Sequence, residues 1–506
     1  MEAHYPKYVL YGVLILDSWL LSCLLHFQFI HLSLFTSRSH DSGASLIVLP
    51  LSVPITDQDG ALRRLSSAAS PSCEGRLVYM VDVPSRFDVL RDCVEGSPAF
   101  QDEYHMCSLM ANAGMGSVFP PATGDGSDGD TGVIPNTGWY NTDQYALEVI
   151  VHNRMLRYEC LTDDPAAATA VYVPYYPALE VEQHRCGFNA TVRNGPSTEF
   201  LRWLSSRPHW AAFGGRDHFM VAAKTTWMFR HNERDGDAGA ERVCGNNFLE
   251  HPESSNMTVL TYESNVWARR DFAVPYPSYF HPTSAHAVAA WQARARAADR
   301  PRLFAFAGAR RVKGVLAIRD RIIDVCALSS RCGLVDCSDG FEGFLTCHSP
   351  RRIVSVFASS RFCLQPQGDS FMRRSMVDSI MAGCIPVFFH KESAFKKQYR
   401  WHHLDPDGGD RRYWVLIDPN EVLQGKVDIE EVLARYTDDE VAAMREEVIK
   451  MIPRFLYKDP RVNFQGEMRD AFDIAFDEAM TRIRRIKNGD DLGWPVDDDM
   501  VAPKDS

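Results

Sequence analysis

The stretch that most constrains the fold of this chain runs from residue 361 to residue 389. An apolar strand at 362–364 leads through a glycine-containing loop at 365–370 into a helix predicted over 371–382, and a second apolar strand follows Gly383. A strand, a helix and another strand in this order form a parallel unit, because the helix carries the chain back across one face of the sheet. The sequence therefore predicts an α/β fold.

The same loop and helix suit a bound diphosphate. A helix N-terminus offers free backbone N–H groups and a positive dipole end, and both attract an anion. Arg373 and Arg374 lie in the predicted first turn, where their charge opposes the dipole, and a bound anion accounts for them. Together with Gly368, Ser370 and Asp378, which is placed to accept hydrogen bonds from ribose hydroxyls, they form a predicted nucleotide site. The alternative is an ordinary parallel unit with surface arginines.

Strands and helices alternate along the rest of the chain. Candidate strands cover 77–83, 170–173, 219–223, 259–261 and 302–307, and helical patterns cover 143–158, 197–206 and 315–328. An apolar stripe at helical spacing lies near the C-terminus, at Phe472, Ala475, Phe476, Ala479, Ile483 and Ile486. This alternation predicts a two-domain α/β protein.

Polar residues at strand ends are the next candidates, since ligands of open α/β sheets bind beyond the carboxyl ends of the strands. Arg310 and Arg311 follow the first strand of the second half, and guanidinium groups bind a diphosphate bidentately. In the first half, the carboxylates of Asp82 and Glu263 occupy comparable positions and are the candidate general bases. Taken alone, each carboxylate also fits a structural role.

Composition argues against one class of partner. The chain has 506 residues, which suffice for more than one core. Its net charge of −12 and its pI near 5.8 argue against a nucleic-acid binder, whose contact surface is usually basic.

Cysteine usage suggests disulfides rather than a metal site. Twelve of the thirteen cysteines follow Cys23, and they match no zinc-ligand spacing. In an oxidising lumen such cysteines form disulfides. Local bridges are expected within the cluster Cys326, Cys332, Cys337 and Cys347, while the connectivity stays open.

The N-terminal segment 8–35 is largely apolar and long enough to cross a bilayer of about 30 Å. No small-residue cleavage site closes it, so the sequence favours an uncleaved signal anchor over a removed signal peptide. Asp17 interrupts the segment, which leaves a poorly inserted leader as the alternative. With an anchor, residues 36–73 form a flexible stem. Residues 1–7 form a short tail, which is cytosolic if the anchor has the type II orientation; the flanking charges of Lys7 and Arg38 leave the orientation open.

Seven further segments, taken with 361–389, carry a family resemblance. They are VYMVDVPSRF (78–87), WYNTDQY (139–145), EVIVHNRM (148–155), YECLT (158–162), AVYVPYY (170–176), GRDHF (215–219) and PYPSYFHP (275–282). In this order, over residues 74–487, the chain resembles the exostosin-like glycosyltransferases (family 47), and most of all the plant xyloglucan galactosyltransferases.

The resemblance implies a GT-B fold, in which two Rossmann-like domains face a cleft behind an N-terminal membrane anchor. Its parts are an acceptor-side domain at 74–290, a nucleotide-sugar donor domain at 300–455, a helix at 456–490 that returns to the first domain, and a tail at 491–506. It also implies a single-pass type II Golgi membrane protein with its catalytic domain in the lumen. Homo-oligomers, or hetero-oligomers with other Golgi glycosyltransferases, fit the same picture.

The reaction implied by the resemblance is the inverting transfer of galactose from UDP-galactose to xylosyl side chains of xyloglucan. No cofactor and no metal are expected, because arginines neutralise the leaving diphosphate. Two alternatives stay open. One is transfer of another sugar, such as galacturonic acid or arabinose, to a cell-wall polysaccharide. The other is a non-catalytic Golgi glycan-binding or scaffold protein.

Site residues follow from this implied reaction. The donor set is Arg310, Arg311, Gly368, Ser370, Arg373, Arg374 and Asp378, and the catalytic base is expected to be Glu263 or Asp82. The acceptor set is Trp139, Tyr140, Tyr175, Tyr176 and Lys224. Aromatic faces stack on sugar rings, although each of these aromatic residues also fits a core position.

Overall fold

The computed structural model describes residues 73–490, apart from 94–105, 120–133, 185, 232–243, 265–270, 312–316, 339, 341–342, 344–346, 348, 394, 396–397 and 404–412. The predicted cytosolic tail and anchor, all of the stem except Cys73, and the C-terminal tail lie outside the described residues. Among the helices that are described, none combines the length and the apolar character needed to cross a membrane. All described residues belong to one compact unit, Leu51–Ser506.

A parallel sheet forms the core of the first half. Within the described residues it has six strands: β1 (Val78–Met80), β2 (Leu161–Thr162), β3 (Ala170–Tyr172), β4 (His218–Ala222), β5 (Thr258–Thr261) and β6 (Asp271–Ala273). Their spatial order is β2-β1-β3-β4-β5-β6, and every adjacent pair is parallel. β3, β4 and β5 are buried along their whole length, as expected for strands covered on both faces.

Seven α-helices lie in this part of the chain, as far as it is described, and the last of them packs on the second half, where the Trp291 indole N–H donates to the Met381 carbonyl at 2.8 Å. The seven helices are α1 (Met106–Leu109), α2 (Leu147–Leu156), α3 (Pro177–Gln183), α4 (Ala190–Ser205), α5 (Pro208–Ala211), α6 (Pro252–Asn256) and α7 (Ala285–Ala297). Side chains at the N-cap set two of the starts. Asn189 accepts a hydrogen bond from the Val192 N–H before α4, and Ser284 accepts one from the Ala287 N–H before α7.

A second parallel sheet forms the core of the other half. Its strands, among the described residues, are β7 (Arg302–Gly308), β8 (Cys332–Asp336), β9 (Ser360–Gln365), β10 (Ile385–Phe388) and β11 (Val415–Leu416). Their order is β11-β10-β9-β7-β8, again with parallel pairs throughout. β9 and β10 are neighbours, so the parallel unit predicted at 361–389 is confirmed.

Eight helices accompany this sheet in the described part of the chain. They are α8 (Ile318–Leu328), α9 (Pro350–Ala358), α10 (Arg374–Met381), α11 (Arg400–His403), α12 (Pro419–Leu423), α13 (Ile429–Ala434), α14 (Asp438–Phe455) and α15 (Ala471–Lys487). The predicted apolar stripe lies on α15. Its Phe476 ring packs against Phe219 of β4 at 5.9 Å and against Tyr158 at 4.9 Å, so this last helix covers the first sheet.

The twelve cysteines that follow Cys23 all form disulfides. Local bridging within the cluster is confirmed, and the structure gives the connectivity that the sequence left open, as Cys326–Cys332 and Cys337–Cys347. The remaining bridges are Cys73–Cys160, Cys93–Cys107, Cys186–Cys244 and Cys363–Cys384.

Candidate functional site

The loop between β9 and α10 is the centre of the candidate site. It ends at Arg373, whose backbone is extended (φ −139°, ψ 147°) and whose side chain makes no capping hydrogen bond. α10 therefore begins at Arg374, three residues later than predicted. Without a side-chain cap, the backbone N–H groups of the first turn and the positive end of the helix dipole can interact with an anion.

The two neighbouring arginines of this loop point in opposite directions. Arg373 turns toward the second sheet, where its Nη2 donates a hydrogen bond of 2.9 Å to the Ala307 carbonyl at the end of β7. Arg374 turns toward the first half. Its Nη1 donates to the Thr142 carbonyl at 2.6 Å, and its guanidinium lies 3.7 Å from the centre of the Tyr279 ring. Arg373 therefore belongs to the predicted anion site, whereas Arg374 bridges the two halves.

A third arginine, Arg319 on α8, joins this site although the sequence analysis did not select it. It is 7% exposed. A Cβ added to Gly368 would lie 3.5 Å from the Arg373 Cγ and 4.0 Å from the Arg319 Nη2, so the aliphatic part of Arg373 and the guanidinium of Arg319 both lie close to that glycine. The sequence does contain a feature that could have identified Arg319. This charged residue lies three residues before Ile322 and four before Ile323, and therefore on the apolar face of α8.

Both guanidinium groups have nitrogen atoms without partners. Among the described residues, nothing accepts a hydrogen bond from the Arg319 Nε or the Arg373 Nη1, and both atoms are buried. Burial and the nearby charge of Arg311 lower the pKa of Arg319 to about 10, and the Asp369 carboxylate opposes this shift. Burial also lowers the pKa of Arg373, and the charges of Arg319 and Arg311 add to the effect. Buried like charges are costly without a counter-ion, so the cluster suits an anion.

Arg310 and Arg311 lie beyond the end of β7, as predicted, but their side chains are exposed. The Arg310 guanidinium is paired with Asp324 at 2.8 Å. The Arg311 backbone N–H donates to Asp320 at 2.7 Å, while its side-chain charge acts on Arg319 and Arg373. Of this predicted pair, Arg311 contributes to the cluster and Arg310 does not.

Asp378 does not lie where a ribose ligand would be expected. It is buried, and its Oδ2 faces the Nε of Arg374 at 3.8 Å, on the side of α10 that meets the first half. Burial raises the pKa of Asp378 to about 6, and the charge of Arg374 opposes that rise. The prediction for Asp378 is corrected accordingly, because a helix residue four positions after Arg374 shares the face of Arg374 rather than that of Arg373.

The two candidate bases have different surroundings. Glu263, just beyond β5, accepts hydrogen bonds from the backbone N–H and the hydroxyl of Thr226, both at 3.3 Å, and from the Phe371 N–H at 3.0 Å. Burial raises its pKa, and the Ser370 hydroxyl beside it opposes the rise. Asp82, just beyond β1, is exposed. Glu263 thus joins the carboxyl edge of the first sheet to the anion-site loop, while the Asp82 carboxylate is open to a ligand.

The predicted acceptor residues are mostly part of the core. Trp139 is 1% exposed and packs on Phe280 and Trp291, with ring centres 5.1 and 4.7 Å apart. The Tyr140 hydroxyl accepts a hydrogen bond of 2.7 Å from Arg461. These two predictions are wrong as far as direct stacking on a ligand is concerned, because both rings are buried against other side chains.

The remaining three acceptor candidates are buried or paired as well. Tyr175 stacks on Phe200 with ring centres 3.7 Å apart, and Tyr176 pairs its hydroxyl with the His152 ring. Lys224 forms an ion pair with Glu182 and is 2% exposed. For the aromatic residues, the alternative of a core position is therefore the better description. Of the five acceptor candidates, Tyr175 alone also lines a cavity, described below.

No grouping of three or more His, Cys, Asp or Glu side chains in the described residues is arranged to hold a metal ion. The expectation that the reaction needs no metal stays a prediction. The positive charge at the candidate site comes from the guanidinium groups of Arg311, Arg319 and Arg373.

Comparisons with known proteins identify relatives of most of this chain. The family model described as the Exostosin GT47 domain matches residues 72–433. Xyloglucan galactosyltransferase MUR3 of Arabidopsis thaliana is 40% identical over 429 residues, which cover 84% of this chain and 65% of MUR3. This chain therefore spans about two thirds of the length of MUR3.

Two other Arabidopsis thaliana proteins are similar over a larger share of their own length. Probable xyloglucan galactosyltransferase GT12 is 37% identical, with 84% of this chain and 80% of that protein covered. Xyloglucan galactosyltransferase XLT2 is 37% identical, with 81% and 76% covered. Among solved structures, one described as "Crystal structure of GtfA/B complex" aligns with a TM-score of 0.31 at 9% identity over 68% of this chain and 61% of that chain, too little to bear on the fold.

Proposed function

This chain belongs to the exostosin GT47 family, and from that membership we propose that it is an inverting glycosyltransferase that moves galactose from UDP-galactose to xylosyl side chains of xyloglucan. The observation that carries the donor part of the proposal is the arginine cluster beside the N-terminus of α10. Arg319 and Arg373 are placed around Gly368 with buried nitrogen atoms that have no acceptor among the described residues. A diphosphate supplies the missing acceptors and the missing negative charge.

We further propose that the two sheets form the GT-B arrangement, with a cleft between their carboxyl edges. Support comes from the contact of Glu263, beyond β5, with Phe371, beyond β9. Arg374 makes a second contact across the same boundary, to the Thr142 carbonyl. In this arrangement the nucleotide lies on the second half and the acceptor on the first, so that the reacting atoms meet at the boundary.

The proposed base is Asp82, and Glu263 is proposed as a positioning residue. A general base needs a lone pair that is open to the acceptor hydroxyl, and the exposed Asp82 carboxylate has that access. The Glu263 carboxylate already accepts hydrogen bonds from Thr226 and Phe371 and therefore holds the donor loop. As the base removes the acceptor proton, the hydroxyl oxygen attacks the anomeric carbon and UDP leaves with its charge on the arginine cluster.

Further parts of the proposal rest on the family resemblance. They are a type II Golgi membrane protein anchored through residues 8–35, a lumenal catalytic domain, and oligomers with itself or with other Golgi glycosyltransferases. Twelve cysteines paired as six disulfides fit an oxidising compartment such as that lumen. Metal-independent transfer is proposed as well, and full activity in excess chelator is the expected result.

The test of the reaction is a transfer assay with the full chain in detergent, a panel of UDP-sugars and xyloglucan oligosaccharides, read by mass spectrometry. A gain of one hexose from UDP-galactose is expected. Arg319→Gln keeps most of the side-chain volume but removes the charge, and it should lower the affinity for UDP tenfold to a hundredfold, roughly the value of a hydrogen bond to a charged group. Arg310→Ala is the matched control, because the Arg310 guanidinium is paired with Asp324 at the surface.

The other outcomes separate the alternatives. A gain of a pentose or a uronic acid would keep the mechanism and change the donor sugar. UDP binding without any product would instead support a non-catalytic glycan-binding protein. If Arg310→Ala weakened UDP binding as much as Arg319→Gln, the proposed donor site would be wrong.

Two carboxylate variants test the proposed roles in catalysis. Asp82→Asn should lower kcat about a hundredfold or more while UDP binds as before, since general-base catalysis is worth about 10²–10⁴ in rate. Glu263→Gln should weaken UDP binding together with kcat, because it disturbs the loop that holds the nucleotide. The reverse pattern would make Glu263 the base.

A further inference from the structure

A cavity of about 490 Å³ lies in the first half, away from the arginine cluster. Its walls are the loop that follows β1, Tyr175 just before α3, the second half of α3, and the first turns of α4. The volume falls in the range of small-ligand sites. None of the residues in the predicted donor or catalytic sets lines it, and Tyr175 is the one member of the predicted acceptor set that does.

The position of the cavity relates it to the donor site. It opens beyond the carboxyl ends of β1 and β3, which lie three and two strands away from β5 in the sheet. Neighbouring strands are about 4.8 Å apart, so the cavity lies roughly 10–15 Å along the sheet edge from Glu263 and the donor loop. A few linked sugar residues span that distance.

One wall residue has an unused polar atom. Glu180, at 3% exposure, accepts hydrogen bonds at its Oε2 from the Ser197 hydroxyl (3.0 Å) and the Asn246 amide (3.3 Å). Within the described residues, its buried Oε1 has no donor. A buried acceptor without a partner is costly, and a ligand hydroxyl in the cavity is a donor that would satisfy it.

The charge of the walls favours a neutral ligand. The walls contain two arginines, Arg86 and Arg91, and four acidic residues, which are Glu180 and also Asp88, Asp92 and Glu199. Arg86 and Glu199 lie 3.4 Å apart, so part of this charge is already neutralised within the wall. A phosphate or a uronic acid would add to the excess of negative charge, whereas a neutral sugar would use the same groups as hydrogen-bond partners.

An apolar surface lies beside the cavity. Phe188, on the segment that leads into α4, is 47% exposed, and Val192, on the cavity wall, is 37% exposed. Sugar rings offer apolar faces as well as hydroxyls, and aromatic side chains stack on those faces. Polar walls together with an exposed aromatic side chain are the combination that a carbohydrate needs.

We propose that this cavity, formed by the loop after β1 with α3 and α4, binds a neutral sugar residue of the acceptor polysaccharide, a few residues along the polymer from the hydroxyl that receives the new sugar. The inference rests on the proposed function. It adds a subsite that favours long acceptors over short ones and neutral acceptors over charged ones. The cavity thereby sets which acceptors bind, while the arginine cluster binds the nucleotide.

Gly195 allows a direct test. It lies on α4 in the cavity wall, and a Cβ added there meets no atom within 4 Å. Gly195→Trp therefore fills the cavity from a position with free space, and Gly195→Ala is the matched control that adds a single methyl group. Both variants remove a helix glycine, so neither is expected to destabilise the fold.

The measurement is the binding of xyloglucan oligosaccharides of increasing length to the full chain, by calorimetry without nucleotide and by KM in the transfer assay. Gly195→Trp should weaken binding of the long oligosaccharides about tenfold or more, with the shortest acceptor and UDP unaffected. Gly195→Ala should bind like the unaltered chain. Phe188→Ala should produce a smaller loss of the same kind.

Several results would overturn the subsite. One is equal binding of long oligosaccharides by the Gly195→Trp variant and the unaltered chain, and another is preferential binding of oligogalacturonides. Failure of the unaltered chain to bind any neutral oligosaccharide would also overturn it. The proposed reaction and the subsite can also be separated. If the unaltered chain shows no transfer activity but binds oligosaccharides, and Gly195→Trp weakens that binding, the proposed reaction is rejected and the subsite is kept.

Discussion

Arg319 and Arg373 illustrate how a binding site differs from a structural ion pair at the scale of single residues. Both lie on the second half, and both have buried nitrogen atoms without an acceptor among the described residues. Burial lowers the pKa of both guanidinium groups, and the charge of Arg319 lowers the pKa of Arg373 further. A chain optimised only for stability would pair or remove such charges. The diphosphate that we propose to bind beside them would explain their presence.

The first prediction concerns the stability of the Arg319→Gln variant. Removing one of two buried like charges should leave the free energy of unfolding unchanged or raise it, because the repulsion with Arg373 is lost. The rise in melting temperature that UDP produces should shrink at the same time. Thermal unfolding with and without UDP measures both quantities. A large loss of stability without UDP would mean that Arg319 holds the fold instead.

The second prediction concerns Glu180 and pH. Burial raises the pKa of this carboxyl from its ordinary 4.5 to about 7, so the folded chain holds the proton more tightly than the unfolded chain. The stability contributed by that proton is complete below pH 4.5 and is lost as the pH rises to about 7. It amounts to roughly 3 kcal/mol.

Glu180→Gln removes this titration while keeping the size of the side chain. Urea unfolding at a series of pH values between 4.5 and 8 should show the unaltered chain losing stability relative to the variant over that interval. Parallel stability curves for the two proteins would contradict the assigned pKa.

At the scale of secondary-structure elements, the parallel unit of β9, α10 and β10 follows from its sequence. The unit is specified locally by its two apolar strands, by the helical period of the residues between the strands, and by Gly383, whose φ is +65°. The helix start was misplaced by three residues. Arg373 adopts an extended backbone because its side chain bonds to the Ala307 carbonyl of a different strand, and no local pattern contains that contact.

The third prediction concerns the disulfide that spans this unit. Cys363 and Cys384 are fully buried and enclose the donor loop and α10. Because the bridge closes a loop with a sequence separation of 21, the double variant Cys363→Ala/Cys384→Ala should lose about 3 kcal/mol of unfolding free energy. It should also bind UDP more weakly, since the loop is less restrained.

Urea unfolding and UDP titration provide these two values. The matched control is the Cys326→Ala/Cys332→Ala variant, which opens a bridge of separation 6 outside the donor loop and should leave UDP affinity unchanged. Equal losses of UDP affinity in both double variants would show that the effect is not specific to the loop.

At the scale of the whole molecule, the two halves are joined by a small number of polar contacts and by the return of α15. Glu263 to Phe371, Arg374 to Thr142, and the two hydrogen bonds between Ser264 and Gln398 cross the boundary. α15 follows the second half in sequence but packs its apolar stripe on the first sheet. Partners in these contacts are separated by more than a hundred residues, so only the folded chain brings them together.

The fourth prediction tests the role of α15. Phe476 is 3% exposed and packs against Phe219 and Tyr158. Phe476→Ala should lower the free energy of unfolding by about 3–5 kcal/mol, as for other buried aromatic side chains. Thr481→Ala, at an exposed position of the same helix, is the control and should change it by less than about 0.5 kcal/mol. Denaturant unfolding measures both, and a small effect of Phe476→Ala would mean that the helix is dispensable.

The sequence by itself determined the alternation of strands and helices and the parallel unit around 361–389, because short-range periodicity and glycine positions specify them. It also located a cysteine cluster suited to local bridges, but the pairs Cys326–Cys332 and Cys337–Cys347 are known only from the structure. Only the tertiary structure decided which side chains form sites. Arg373 and Arg374 are adjacent in sequence but point to different halves, Arg319 joins the anion site, and Trp139 is part of the core. The physical reason is that side-chain direction and burial depend on partners that are remote in sequence.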